Sequence, residues 1–107
     1  MPSTEIPQPV VNVSIITPKP ERFDEFIELQ HAQFRRVRGQ VPGLRGSRCY
    51  RSTDDRSVIL VAVFETEADA RRFSQDPLFT EHVARVRPLI ESATPGAYET
   101  VYGFGDV

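Results

Sequence analysis

The chain has 107 residues, of which 39% are apolar and 26% are charged, and its formal net charge is -2. These values are typical of one globular domain and argue against a nucleic-acid-binding protein, which usually needs a basic surface. The single cysteine excludes an intrachain disulfide, no Cys/His spacing predicts a metal site, and no run reaches the roughly 18 apolar residues of a membrane span. We therefore expect a cytoplasmic protein that binds neither nucleic acid nor membrane.

The N-terminal part predicts an extended arm, a strand and a helix. Residues 1–9 contain three prolines, which remove backbone donors, so we expect a flexible arm here and a single domain over 10–107. Val10–Thr17 is mostly apolar and β-branched, which predicts a strand. In Glu21–Val37 the apolar residues fall on one stripe with charges opposite, which predicts an amphipathic helix packed on a sheet.

A hairpin is predicted in the middle of the chain. A Pro-Gly turn follows the first helix, and Leu44–Arg51 is predicted as the second strand, in which Gly46 indicates either a bulge or a close approach by another backbone. A polar turn over 52–56 leads into Val58–Phe64, an unbroken apolar run that is typical of a central strand. Because this run is apolar at both alternations, the third strand needs cover on both faces of the sheet.

The C-terminal part predicts a second helix and a last strand. After Thr66 the apolar residues recur at helical intervals as far as Ile90. Proline disfavours the helical conformation of the residue before it, so the Asp-Pro pair at 76–77 should break this helix into a short piece and a longer one. The Thr-Pro-Gly segment at 94–96 predicts a turn, and the alternating residues Ala97–Phe104 predict the fourth strand.

The order of these elements predicts the fold class. Strand, helix, strand, strand, helix, strand gives an α+β, ferredoxin-like βαββαβ domain, with a four-stranded antiparallel sheet and two helices on one face. The other face of this sheet is left bare. Since Val58–Phe64 would expose apolar side chains there, the simplest expectation is a homodimer joined through this sheet face.

The run VPGLRGSRCYRSTDDRSVILVAVFETEADARRF, at 41–73, resembles the antibiotic biosynthesis monooxygenase group of dimeric α+β barrel proteins. In that group a Pro-Gly turn precedes the second strand, and an aromatic residue followed by an acidic one closes the third. The resemblance covers roughly Val10–Phe104 and implies that the domain forms a dimeric α+β barrel. The group includes cofactor-independent oxygenases of anthrones and quinols, and haem-degrading enzymes.

Few functional residues of that group have a counterpart in this chain. The Asn, Trp and Tyr that line the pocket of the anthrone oxygenases align with Leu60, Phe64 and Ala70. The two His of many quinol-type members align with Phe73 and Leu78. Of the groups used by the haem-degrading members only Asn12 has a match, and the liganding His is missing, so no cofactor is expected.

The candidate catalytic residues are one histidine and three tyrosines. His82 lies beside the apolar stripe of the second helix, and its imidazole titrates near neutral pH, so it is the candidate base. A flanking histidine with a satisfied hydrogen bond is the alternative interpretation. Tyr50, Tyr98 and Tyr102 are candidates because a strand tyrosine could orient a substrate carbonyl. His31 is predicted at the surface.

The candidate substrate-binding residues combine polar side chains with positions that the family resemblance places at the pocket. Gln30 stands within the apolar stripe of the first helix, where a buried amide needs partners, although an edge position reaching water is equally compatible with the spacing. Arg48 could pair with a substrate carboxylate. The full set is Asn12, Ser14, Gln30, Phe34, Arg48, Leu60, Phe64, Phe73 and Phe79.

The resemblance implies a cofactor-independent monooxygenase-like enzyme that acts on an aromatic, polyketide-like or quinol small molecule. In that reaction the protein removes a proton from the substrate, and the resulting carbanion reacts with dioxygen directly. Two alternatives stay open: a non-catalytic small-molecule binding or sensing module of the same fold, and a cyclase or isomerase that uses the base without oxygen.

Overall fold

A computed structural model describes residues 9–106, so that the predicted arm, apart from Pro9, lies outside the described residues. Short 3-10 turns at Pro20–Arg22 and Arg87–Leu89 lead into the first helix and the last strand. The strands and α-helices in chain order are β1 (Val10–Pro18), α1 (Phe23–Val37), β2 (Leu44–Arg51), β3 (Val58–Phe64), α2 (Glu67–Ser74), α3 (Pro77–Val86) and β4 (Ile90–Tyr98).

The four strands form one antiparallel sheet in the order β2-β3-β1-β4. This arrangement confirms the predicted ferredoxin-like α+β fold. β3 pairs with both β2 and β1, so its predicted central position is also confirmed. The β2–β3 hairpin carries the predicted bulge, because its register shifts between Leu44 and Gly46.

The helices cover one face of the sheet and enclose the core. Ile16 of β1 and Val58 of β3 are buried there together with Phe23 and Phe26 of α1 and Val86 of α3. Side chains alternate along a strand, so residues two positions away from a core residue face the helices as well. The residues between them face away from the helices.

The second predicted helix is divided where the Asp-Pro pair predicted a break. α3 begins at Pro77, and the Asp76 side chain before it accepts a hydrogen bond from the amide of Leu78. Thr66 caps α2 by accepting a hydrogen bond from the amide of Asp69. Each cap satisfies a backbone donor that the helix itself leaves unpaired.

The position of the fourth strand was predicted wrongly. β4 occupies Ile90–Tyr98 and not Ala97–Phe104. The segment 94–96, for which a turn was expected, therefore lies inside the strand. Pro95 lies opposite Ser14 of β1. β4 is an edge strand, and an edge strand tolerates proline because one row of its backbone groups has no partner strand.

Residues 9–106 leave the second face of the sheet uncovered. We call it the open sheet face and define it by four exposed apolar or aromatic side chains, which are Ile15, Tyr50, Ile59 and Tyr98. Tyr50 lies opposite Ile59, and Ile59 lies opposite Ile15. Tyr98 lies opposite Val11, which is four positions before Ile15 on β1 and therefore points to the same face. We expected cover on both faces of the sheet. Within residues 9–106 the helices cover one face only.

Candidate functional site

The candidate site lies where α1 and α3 pack together over the covered face of the sheet. Gln30 of α1 lies against His82 of α3, with 2.5 Å between Gln30 Oε1 and His82 Nε2. His82 is 8% exposed, and Gln30 is half-buried. The contact gives Gln30 and His82 a partner inside the protein, and a satisfied hydrogen bond is also what the structural interpretation of His82 requires.

The imidazole of His82 is neutral at neutral pH. Burial, and after it the positive charges of Arg85 and Arg36, lower the pKa of His82 to about 4. With the Gln30 amide oriented as in this structure, its oxygen accepts from Nε2–H, and in this tautomer Nδ1 keeps its lone pair. Among residues 9–106 Nδ1 has no hydrogen-bond partner, which makes it the ring atom that can accept a proton.

A second glutamine, which the sequence did not identify, lies one turn along α1. Gln33 is 9% exposed, and its Nε2 donates a hydrogen bond of 2.8 Å to the carbonyl oxygen of Leu78. Its Oε1 is buried and has no hydrogen-bond partner within the described residues. Spacing could have found it, because Gln33 follows Gln30 by three residues and therefore lies on the same side of the helix.

Aromatic rings form the apolar side of this region. The ring centroid of Phe73 lies 5.9 Å from that of Phe64 and 5.3 Å from that of Phe79, and both pairs are tilted. These distances are typical of favourable aromatic contacts. The three rings, from β3, α2 and α3, are called the aromatic cluster below. The structure thus brings together three of the predicted substrate-binding residues.

Three further predicted residues share the helix-covered face of the sheet. Asn12 and Ser14 alternate with the buried Ile16 on β1, so they face the helices, and both are half-buried. Leu60 lies two positions after the buried Val58 and packs against the core. Positions on the sheet floor are therefore available to a ligand that reaches the space under α1 and α3.

The remaining predicted residues are not brought near His82. Arg48 and Tyr50 lie opposite Val61 and Ile59, and Tyr98 lies opposite Val11, so all three occupy the face that the helices do not cover. Tyr102 follows the end of β4 and is 86% exposed. Phe34 is 48% exposed, and the guanidinium of Arg38 lies 5.8 Å from its ring centroid. Within one chain the sheet therefore separates Arg48, Tyr50 and Tyr98 from His82.

Open depressions occur on the surface, away from the interface between sheet and helices. One, of about 670 Å³, is lined by α1 residues that include His31 and Arg35. Another, of about 390 Å³, follows α3 from Phe79 to Arg87. His31 is exposed, as predicted. His82 borders neither of these two depressions.

The described part of the chain contains neither a cluster of metal-ligating side chains nor a helix that could span a membrane. Between residues 9 and 106 there is no group of three or more His, Cys, Asp or Glu side chains that could hold a metal ion. Over the same range none of the helices combines the length and the apolar composition that crossing a lipid bilayer demands.

Solved structures share this fold at low sequence identity. The protein Rv0793 from Mycobacterium tuberculosis has a TM-score of 0.81 at 17% identity, and the match covers 92% of this chain and 100% of that one. SnoaB, a cofactor-independent oxygenase from Streptomyces nogalater, has a TM-score of 0.73 at 22% identity, over 92% and 99%. A conserved protein from Methanosarcina mazei has a TM-score of 0.79 at 13% identity, over 90% and 96%.

The family of the chain follows from its sequence. No curated protein matches the chain. The model of the family described as antibiotic biosynthesis monooxygenase matches residues 9–85, a segment that begins just before β1 and contains Gln30, Gln33 and His82. This match spans more than half of the 107 residues. The chain therefore belongs to the antibiotic biosynthesis monooxygenase family.

Proposed function

We propose that this protein is a cofactor-independent oxygenase of an aromatic, polyketide-like or quinol small molecule, with His82 as its base. The observation that carries the proposal is a buried, neutral imidazole whose Nδ1 is unpartnered, in the same helix–sheet layer as the aromatic cluster. Membership in the monooxygenase family supports it, as does the fold shared with SnoaB, which is named a cofactor-independent oxygenase.

The proposed reaction uses the substrate as reductant and dioxygen as oxidant. An activated CH₂ group loses a proton to His82 Nδ1, and the carbanion forms a C–O bond with dioxygen. The imidazolium returns the proton to give a hydroperoxide, which loses water and leaves a ketone. Overall R₂CH₂ and O₂ give R₂C=O and H₂O for an anthrone. For 1,4-dihydroxynaphthalene the proton lost to His82 is phenolic and the C–O bond forms at a ring carbon, so that C₁₀H₈O₂ and O₂ give the hydroxyquinone C₁₀H₆O₃ and H₂O.

The environment of His82 restricts the substrates that this reaction can use. A base whose conjugate acid has a pKa of about 4 is weak, so it deprotonates only carbon acids or phenols that are already acidic. The positive charges of Arg85 and Arg36, which pair with Glu81 at 3.9 and 3.7 Å, also disfavour an imidazolium. Anthrones and quinols fit a weak base because their anions are delocalised over aromatic rings.

Oxygen consumption tests the proposed function directly. With anthrone or 1,4-dihydroxynaphthalene we expect the protein to consume dioxygen faster than the same solution does without protein. For anthrone, one molecule of quinone should form for each dioxygen consumed. An oxygen electrode and product chromatography measure both quantities, and heat-unfolded protein is the control. Consumption no faster than the uncatalysed rate with both compounds would reject the oxygenase.

A non-catalytic binding module of the same fold is the second candidate. The low basicity of the His82 ring favours it, because holding a ligand does not require a base. It predicts that a bound aromatic compound is recovered unchanged with no oxygen consumed. Recovery of a rearranged compound of unchanged composition would instead indicate a cyclase or isomerase.

The open sheet face leads to a prediction about assembly. Ile59 lies between Tyr50 and Ile15 on this face and is 38% exposed, so a homodimer joined through the sheet buries it. Ile59→Lys should convert the native species, with twice the 12.1 kDa chain mass, into a monomer at micromolar concentration. Light scattering after size exclusion measures the mass. Gln40→Lys, at an exposed position after α1, is the control, and a monomeric native protein would contradict the proposed dimer.

A further inference from the structure

Gln33 Oε1 is a buried hydrogen-bond acceptor that has no partner among the described residues. Gln33 is nine-tenths buried, and its Oε1 reaches neither solvent nor a hydrogen-bond donor. Buried polar atoms in native proteins almost always have a partner, because an unsatisfied acceptor loses its water without replacement. The orphaned oxygen therefore indicates a partner that comes from outside residues 9–106.

The orientation of this amide is determined by the protein. Gln33 Nε2 lies 2.8 Å from the carbonyl oxygen of Leu78, which can only accept a hydrogen bond. If the amide were rotated by 180°, two oxygens would face each other and the nitrogen would take the unpartnered position. The unpartnered atom is therefore an acceptor, and its partner must donate a hydrogen.

The surroundings of Gln33 indicate which chemical groups its partner carries besides the hydrogen-bond donor. Leu78, which holds the amide, is directly followed by Phe79 of the aromatic cluster, and Phe79 contacts Phe73. On α1 the next contact toward the N-terminus is Gln30 with His82, one helical turn away. A flat apolar ring with an O–H group fits this combination. A carboxylate or phosphate does not, because its oxygens would face the amide oxygen.

We propose that Gln33 Oε1 is a subsite that accepts a hydrogen bond from a phenolic hydroxyl of the ligand, while the ring of the ligand packs on the aromatic cluster. The inference rests on the proposed function and deepens it: the substrates are hydroxylated aromatic compounds, and Gln33 orients them relative to His82. Gln33 is in this sense a specificity-determining residue and not the base.

The route into the subsite is through α2. This helix has eight residues and none of them is buried, whereas α1 and α3 bury four and two residues. Its attachment depends on the Thr66 cap and on the contacts of Phe73 with Phe64 and Phe79. Segments with few buried contacts open at low cost in free energy. Displacement of Phe73 then admits the ring of a ligand without unfolding the core.

Binding of two matched probes tests the subsite without turnover. 1-Naphthol donates an O–H, whereas 1-methoxynaphthalene has the same rings and no donor. We expect the native protein to bind 1-naphthol roughly tenfold more tightly, because the methoxy compound leaves Gln33 Oε1 unpaired. Naphthalene fluorescence reports binding, since the chain contains no tryptophan. In Gln33→Met, which has a similar length and no amide, the ratio should fall to about one.

The control variant is Gln40→Met, at an exposed glutamine, and it should keep the native ratio. Equal or undetectable binding of both probes by the native protein would overturn the subsite and leave an ordered water as the partner of Gln33. A preference for 1-naphthol that persists in a folded Gln33→Met protein would overturn it as well. If the protein prefers 1-naphthol but consumes no oxygen, the oxygenase is rejected and the subsite is kept. If it consumes oxygen but shows no preference, the subsite is rejected and the oxygenase is kept.

Discussion

Gly43→Ala should lower the free energy of unfolding by about 2–3 kcal/mol and the melting temperature by roughly 10–20 °C. Gly43 has φ = 83°, a conformation that costs other residues about 1–2 kcal/mol. A Cβ built on Gly43 would also overlap the carboxylate of Asp69. That carboxylate accepts a hydrogen bond from Thr66 and pairs with Arg72 at 3.0 Å, so its displacement weakens the start of α2.

Two other glycines separate the conformational cost from the clash. Gly39 also has a positive φ, of 73°, but a Cβ there would meet no atom within 4 Å, so Gly39→Ala should cost only about 1 kcal/mol. Gly46 has neither a positive φ nor a close neighbour, and Gly46→Ala should change stability by less than about 0.5 kcal/mol. Urea denaturation of the three variants measures the differences. Equal losses for the Gly39 and Gly43 variants would show that the contact with Asp69 has no energetic role.

The hairpin was predictable to the residue because its signals are local. The apolar run of β3 is bounded by a polar turn and by Glu65, and the bounds Leu44–Arg51 and Val58–Phe64 agree with the structure. The strand β4 was not predictable in this way. Its Thr-Pro-Gly segment favours a turn by itself, and it becomes strand because β4 pairs at the edge of the sheet, a position that only the whole topology defines.

The location of the tyrosine and arginine candidates depends on the bulge at Gly46. Leu44 lies opposite the buried Phe64, so strict alternation would place Arg48 and Tyr50 on the covered face as well. The bulge inserts one residue and moves both side chains to the open sheet face. The sequence predicted the bulge but not its consequence for the site, since the effect on facing requires the register of the hairpin.

Replacement of the imidazole has the largest expected effect on activity. If His82 removes the substrate proton, His82→Gln should lower the rate of oxygen consumption by about 100- to 10,000-fold. The glutamine keeps a polar group opposite Gln30 and cannot act as a base. The matched control is His31→Gln, at the exposed histidine of α1, which should keep the native rate. An unchanged rate in His82→Gln would return His82 to a structural role, as the alternative interpretation of its hydrogen bond requires.

The low pKa of His82 gives the same replacement a pH-dependent effect on stability. The pKa is about 4 in the folded chain, below its ordinary value of 6.5, so the unfolded chain binds the proton first as the pH falls. Above pH 6.5 the imidazole is neutral in both the folded and the unfolded chain, so His82 has no pH-dependent effect on stability. Between pH 6.5 and pH 5 the free energy of unfolding of the native protein should fall by about 2 kcal/mol relative to that of His82→Gln. Urea denaturation of both proteins at pH 7 and pH 5 measures this difference. If the difference is absent, the ring is not held neutral by burial, and the acid limb of the oxygenase rate should then lie near pH 6.5 instead of near pH 4. Agreement between the stability difference and the rate profile would assign both to one buried imidazole.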